Sequence, residues 1–196
     1  MYRYLYYSLL MMNAVWLLII IRHYKKEYYY FFLIAGCEIV TTFFFWKVFH
    51  YNTNAPLIFF SLLLIPALER NFFKPLKRKI IFVSFVAVVT IFNLIINIPV
   101  VGMWITLAGA LVILTIFLKR IILSIALKSE LNLIHAIFLL YYLSAIIRLY
   151  NGILQVDLGY FNFLVFNFLN IIIGIAFLFV TEDTKIFKFK SLDYQP

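Results

Sequence analysis

Glu38 is the only acidic residue well inside an apolar stretch of this chain, in the run from Tyr28 to Trp46. A charge at the centre of a bilayer costs roughly 2.5–3.5 kcal/mol on insertion scales, so such groups face a bundle interior or a wet cavity. Helical spacing places Ala35, Glu38, Thr41 and Thr42 on one face, with two hydroxyls beside the carboxyl. That set suits a ligand contact, a proton carrier or a cation site. It equally suits a protonated Glu38 hydrogen-bonded to a neighbouring Thr or Asn, or buried against a partner subunit.

Other polar stripes recur at spacings of three and four. Thr90, Asn93 and Asn97 share one face; Asn167, Asn170 and Gly174 share another; Gly102, Thr106, Gly109 and Ala110 form a small-residue face. Each stripe alone reads as packing glue between helices. Arg148 lies near the end of its apolar stretch, where it either snorkels to the interface, reaches toward Glu38 or pairs with Asp157.

Conventional chemistry has little footing. There is no P-loop, dinucleotide fingerprint or nucleophile elbow. Glu38 has no second intramembrane acid, and Ser61, Ser84 and Ser144 have no evident base. His23, His50 and His135 share no ligand spacing, so no metal site and no cofactor are expected. The single cysteine, Cys37, excludes an internal disulfide and reads as a small packing residue. His135 reads as an interhelical hydrogen-bonding group.

The elements that must position these residues are membrane helices. The chain is 66% apolar and 13% charged, with a mean hydropathy of +1.03, far from a soluble domain. Seven apolar stretches, at about 5–21, 28–46, 51–68, 80–98, 100–118, 131–150 and 160–180, approach the roughly 20 residues a spanning helix needs. The third is the least regular, because Asn52, Asn54, Pro56 and Pro66 interrupt it. The fourth and fifth meet at Asn97-Ile98-Pro99, and residues 119–130 either prolong the fifth or lie in the interface.

Fourteen of the seventeen Lys and Arg fall in four clusters, at 22–26, 70–79, 119–128 and 185–190. These occupy every second gap, as retention of basic loops in the cytoplasm requires. The expected architecture is an all-α membrane protein of seven transmembrane helices in residues 1–180, N-terminus outside, with a short basic cytoplasmic tail at 181–196. Three positive charges follow the first stretch and one precedes it, the reverse of a cleaved secretory leader. Twelve of the fourteen tyrosines lie at or near these limits, as headgroup-level rings should.

Orientation assigns depth. Thr41, Thr42, Asn93, Asn97 and Asn167 fall in the outer half, Glu38 and Asn170 near the midplane, and Arg148 at the outer end of the sixth helix. An outward-facing polar pocket follows as an expectation, above a drier inner half with few polar groups beyond His135 and Thr115. In the tail, Lys185, Phe187, Lys188, Phe189 and Lys190 alternate charge with apolar bulk. They suit contact with anionic inner-leaflet lipid, or an added strand on a partner's sheet. The net charge of +9 is placed beside spans, so lipid explains it and nucleic acid is not expected.

The layout excludes retinal binding of the microbial-rhodopsin kind, since 167–171 holds no lysine, and the Pro-Gln pair of small sugar carriers is absent. In helix count, orientation and short loops it is similar to the seven-helix sensor modules that precede bacterial signalling domains. The heavy use of Phe, Ile, Asn, Lys and Tyr points to an AT-rich bacterial genome and an inner membrane. The function expected is that of a non-enzymatic sensor-like module or integral subunit of a larger membrane complex, working through a protein partner. A small-solute or ion transporter using Glu38 is the alternative, and a membrane enzyme acting on lipid ranks third.

Overall fold

The computed structural model describes residues 2–48, 55–68, 75–96, 98–155, 159–182 and 184–188. Within them the chain is almost wholly helical. The order is α1 (Tyr2–Arg22), α2 (Tyr29–Val48), α3 (Ala55–Ala67), α4 (Leu76–Ile96), α5 (Pro99–Lys128), β1 (Glu130–Asn132), α6 (Leu133–Ile153), α7 (Gly159–Phe179) and β2 (Lys185–Lys188). Three helices are long and apolar enough to cross a membrane: Leu76–Ile96, Pro99–Leu127 and Leu133–Ile153. The other apolar helices are shorter. α3, with 13 residues, extends only about 20 Å at 1.5 Å per residue.

Local chemistry sets the ends of α5 and α6. Ile98 is extended and Pro99 opens α5, where its missing N–H is not needed. Segment 119–128 continues α5. The helix stops at Ser129, which takes a left-handed conformation (φ 49°) and donates its N–H to the Ile125 carbonyl. α6 begins at Leu133, two residues after the expected start, because residues 130–132 form β1 and Asn132 caps the helix, its Oδ1 accepting from the Ile134 N–H at 3.1 Å. Residues 51–54, expected in the third helix, lie outside the described residues.

Six helices close a ring in the order α1, α2, α3, α5, α6, α7, while α4 packs outside against α3. The half of the ring nearest the 23–28 loop, here termed the basic end, is filled with aromatic rings. Phe138 of α6 stacks on Phe32 of α2 (centroids 5.4 Å, 21°) and on Phe117 of α5 (4.3 Å, 13°). Phe31 and Phe177 approach the same ring edge-on or tilted, at 4.8 and 4.7 Å. Trp16 of α1 adds a further wall against Phe32, Tyr141 and Phe177. All but Tyr141 are fully buried, so the centre of the ring is packed solid at this level.

The polar stripes largely resolve into seams. Asn167 of α7 donates to Ser8 Oγ of α1 at 3.2 Å, and two turns further along both helices Gly174 backs onto Val15, where an added Cβ would come within 2.7 Å. Gly109 lies against Ser61 and Leu62 of α3. The hydroxyls of Thr90, Thr106 and Thr115 donate to carbonyls four residues back, at 2.8, 2.9 and 2.8 Å, and Ser61 does likewise to Leu57. Such back-bonding satisfies a hydroxyl within its own helix, as an apolar surrounding demands. Cys37 departs from expectation: it is exposed. The buried face of α2 runs through Phe31, Phe32 and Ala35, and Cys37 lies two residues, about 200°, beyond Ala35.

Candidate functional site

At the basic end, five segments meet in one polar network. Tyr28, at the start of α2, is almost fully buried, with its phenol between α5 and α6. Arg120 of α5 donates from Nη1 to the Tyr28 oxygen at 2.6 Å and from Nη2 to the Leu68 carbonyl at the end of α3. The guanidinium also lies over the Tyr28 ring, 5.6 Å from its centroid, and 3.5 Å from Glu27 Oε1. Tyr28 Oη is 2.6 Å from His135 Nε2 on α6. With the phenol oxygen accepting from Arg120, its proton is directed to Nε2, which places the neutral imidazole's own proton on the buried Nδ1.

The chain beyond α7 closes over the same end. Glu182 Oε1 accepts the Glu27 N–H, and its main-chain carbonyl accepts from Asn132 Nδ2 at 3.4 Å. β2 then pairs antiparallel with β1, Glu130 opposite Lys188 and Leu131 opposite Phe187, with an irregularity before Asn132 meets Lys185. The tail positions that alternate charge and bulk therefore form a strand along the chain's own β1. Phe189 and Lys190 lie outside the described residues.

His23 sits beneath this closure with no exposed surface. Its ring packs on Phe32 at 4.3 Å, and its Nε2 lies 2.9 Å from the Phe177 carbonyl, to which it donates. Nδ1 faces Glu182 Oε2 at 3.8 Å, and neither atom has a hydrogen-bond partner among the described residues. Burial lowers the His23 pKa below the ordinary 6.5. The Phe177 bond and the Glu182 charge oppose that shift, while Lys26 and Arg22 reinforce it.

The residues singled out in sequence converge only in part. Glu38 is half-buried on the inward face of α2, within electrostatic range of Arg148, Tyr141 and Tyr142 on α6. Arg148 itself is exposed on α6, and it acts on Glu38 through its charge. Thr41 is half-buried and Thr42 exposed on the same helix. Asn93 is buried on α4, outside the ring, and its Nδ2 has no partner among the described residues. Asn167 is committed to Ser8, and Asn170 is half-buried on α7. Asn97 lies outside the described residues. Among the described residues no three His, Cys, Asp or Glu side chains gather as a metal site.

Sequence reasoning passed over Glu27, Tyr28, Arg120 and Glu182, because it read basic loops for topology and tyrosines as interface anchors. A signal was present: Glu27, Glu69, Glu130, Glu182 and Asp183 all adjoin the four basic clusters. Acids placed beside retained cations are candidates for pairing. What the network offers chemically is positioning, since its phenol, guanidinium and imidazole bind one another and carry no activated nucleophile. Compared with known protein families, curated proteins and solved structures, the chain matches none of them.

Proposed function

We propose that this chain is a seven-helix protein of the bacterial inner membrane, N-terminus outside and C-terminus cytoplasmic. It works as a non-enzymatic sensor-like module or integral subunit of a larger membrane complex. The observation that carries the reading is the network at the basic end. It ties the segment after α7 to the 23–28 loop, α3, α5 and α6, so that a change among the helices is felt where a cytoplasmic partner would touch. Glu38 and Arg148, toward the other end, are the groups through which an outside ligand would act on α2 and α6. The four shorter apolar helices complete the bundle as spans, α3 being held within it by its neighbours.

A transporter using Glu38 is the second reading, favoured by the approach of Arg148. The stacked rings of Phe32, Phe138 and Phe117 speak against it, because a solute path needs a wettable route past them. The deciding experiment is mild-detergent copurification of the tagged chain from its native membrane, beside flux into proteoliposomes. The subunit reading expects a stoichiometric partner lost in Glu182→Ala and no flux. A lone chain whose flux disappears in Glu38→Gln would establish the transporter. Orientation is tested separately, with single cysteines at positions 129 and 151 in a Cys37→Ser background. A membrane-impermeant maleimide added to intact cells should label only the second.

A further inference from the structure

We propose that His23 and Glu182 form a proton-sensitive latch that holds the segment after α7 against the basic end, and that acidification releases it. The inference rests on the reading of that segment as the cytoplasmic contact, but not on any partner being present.

The geometry leaves one place for an added proton. Nε2 of His23 already carries the hydrogen donated to the Phe177 carbonyl, so the next proton must go on Nδ1. That atom is buried, has no hydrogen-bond partner among the described residues, and faces Oε2 of Glu182, likewise unpartnered among them, at 3.8 Å. The charged groups acting on it are Arg22 at the end of α1, Lys26 in the loop and Glu182 itself; α2 and α7 present only the Phe32 ring and the Phe177 carbonyl. A cation formed there would sit in a fully enclosed site beside two like charges, with one carboxylate too distant to hydrogen-bond. Lifting the segment that carries Glu182 opens the site to water and removes the penalty.

The sign follows from linkage. The docked imidazole binds its proton more weakly than an ordinary one, so docking is fully favourable above about pH 6.5 and weakens as pH falls through the lowered docked value. One proton changes the ratio of docked to released forms by at most about tenfold per pH unit. Among the described residues the segment is held by a two-stranded ribbon, marginal alone, by the Glu27 N–H to Glu182 and by the 3.4 Å bond from Asn132.

The test places a spin label on a single cysteine at position 191 in the Cys37→Ser chain, in nanodiscs, and reads its mobility from pH 8 to pH 5. Mobility should rise below about pH 6.5, by up to tenfold in released fraction per pH unit. His23→Gln should abolish the pH response, whereas His135→Gln should keep it. Glu182→Gln retains an oxygen for the Glu27 N–H and removes the one charge among the described residues that attracts the proton. It should therefore lower the docked value further and make release on acidification larger, with its midpoint at the same or a higher pH, and a smaller release would overturn the latch even should His23→Gln fail to fold. Mobility that is constant, that falls on acidification, or that still responds in a folded His23→Gln would overturn the latch. The label is read on the purified chain, so its failure is distinct from a failure of copurification.

Discussion

Two buried tyrosines on facing sides of one aromatic core make opposite predictions for the same chemical change. Tyr28 Oη receives the Arg120 guanidinium and meets His135 Nε2, both at 2.6 Å. Tyr142, also buried, has a hydroxyl with no partner among the described residues. A hydrogen bond to a charged group contributes about 1.5–3 kcal/mol and a neutral one about 1. Tyr28→Phe would on that reckoning lose about 2.5–4 kcal/mol. Arg120 is a quarter exposed and keeps Leu68, so water recovers part of its share. The expected loss is then about 2 kcal/mol. Tyr142→Phe removes a polar group that nothing satisfies, and should lie within about 0.5 kcal/mol of the parent or above it. Reversible unfolding in mixed micelles, followed by intrinsic fluorescence, measures both. Equal losses for the two variants, or the larger loss at Tyr142, would refute the assignment of the basic-end network as a stabilising unit.

Arg120→Lys preserves the charge that fixes topology but cannot reach Tyr28 Oη and the Leu68 carbonyl from one ammonium. It should cost about 1–3 kcal/mol in the same unfolding assay while cysteine labelling leaves the orientation unchanged. Gly174→Leu drives a side chain into Val15, already 2.7 Å from an ideal Cβ, and should weaken the α1–α7 seam by about 1–3 kcal/mol, read as a lower melting temperature.

The sequence made the helices legible and the site much less so. Apolar runs and basic gaps identify where helices lie, because burial of the backbone and retention of cations act on each segment separately. Ends set by side-chain capping were harder: α6 starts at Leu133 because Asn132 caps it and β1 precedes it, and β1 exists only through its pairing with β2. Depth placed Glu38 near the midplane and Arg148 at the outer end of α6, where it is exposed as a snorkelling cation would be, with its charge still acting on Glu38. Tyr28, Arg120, His135 and Glu182 meet from positions over 150 residues apart at the extremes, and no local spacing records that. Asn93 shows the converse. Its stripe is regular, and spacing alone does not record that α4 packs outside the ring, where Asn93 is buried.

The two ends of the bundle differ in how their charges are held, and if the chain is the sensor-like module proposed above, the difference sets the direction in which a signal would run. Glu38 on α2 feels the Arg148 charge of α6, and under the proposed sensor reading a ligand bound there would act on the spacing of α2 and α6. At the basic end, the same two helices are bound through Tyr28 and His135, above a stack of Phe32 and Phe138 with no room to slide. Packed interiors of this kind switch between discrete arrangements instead of deforming smoothly. On the proposed sensor reading, a displacement at Glu38 would pass along α2 to Tyr28, where the softest attachment is neither a helix nor a stacked ring. It is the segment bearing Glu182, held among the described residues by two hydrogen bonds and a short ribbon, and that is where movement would emerge.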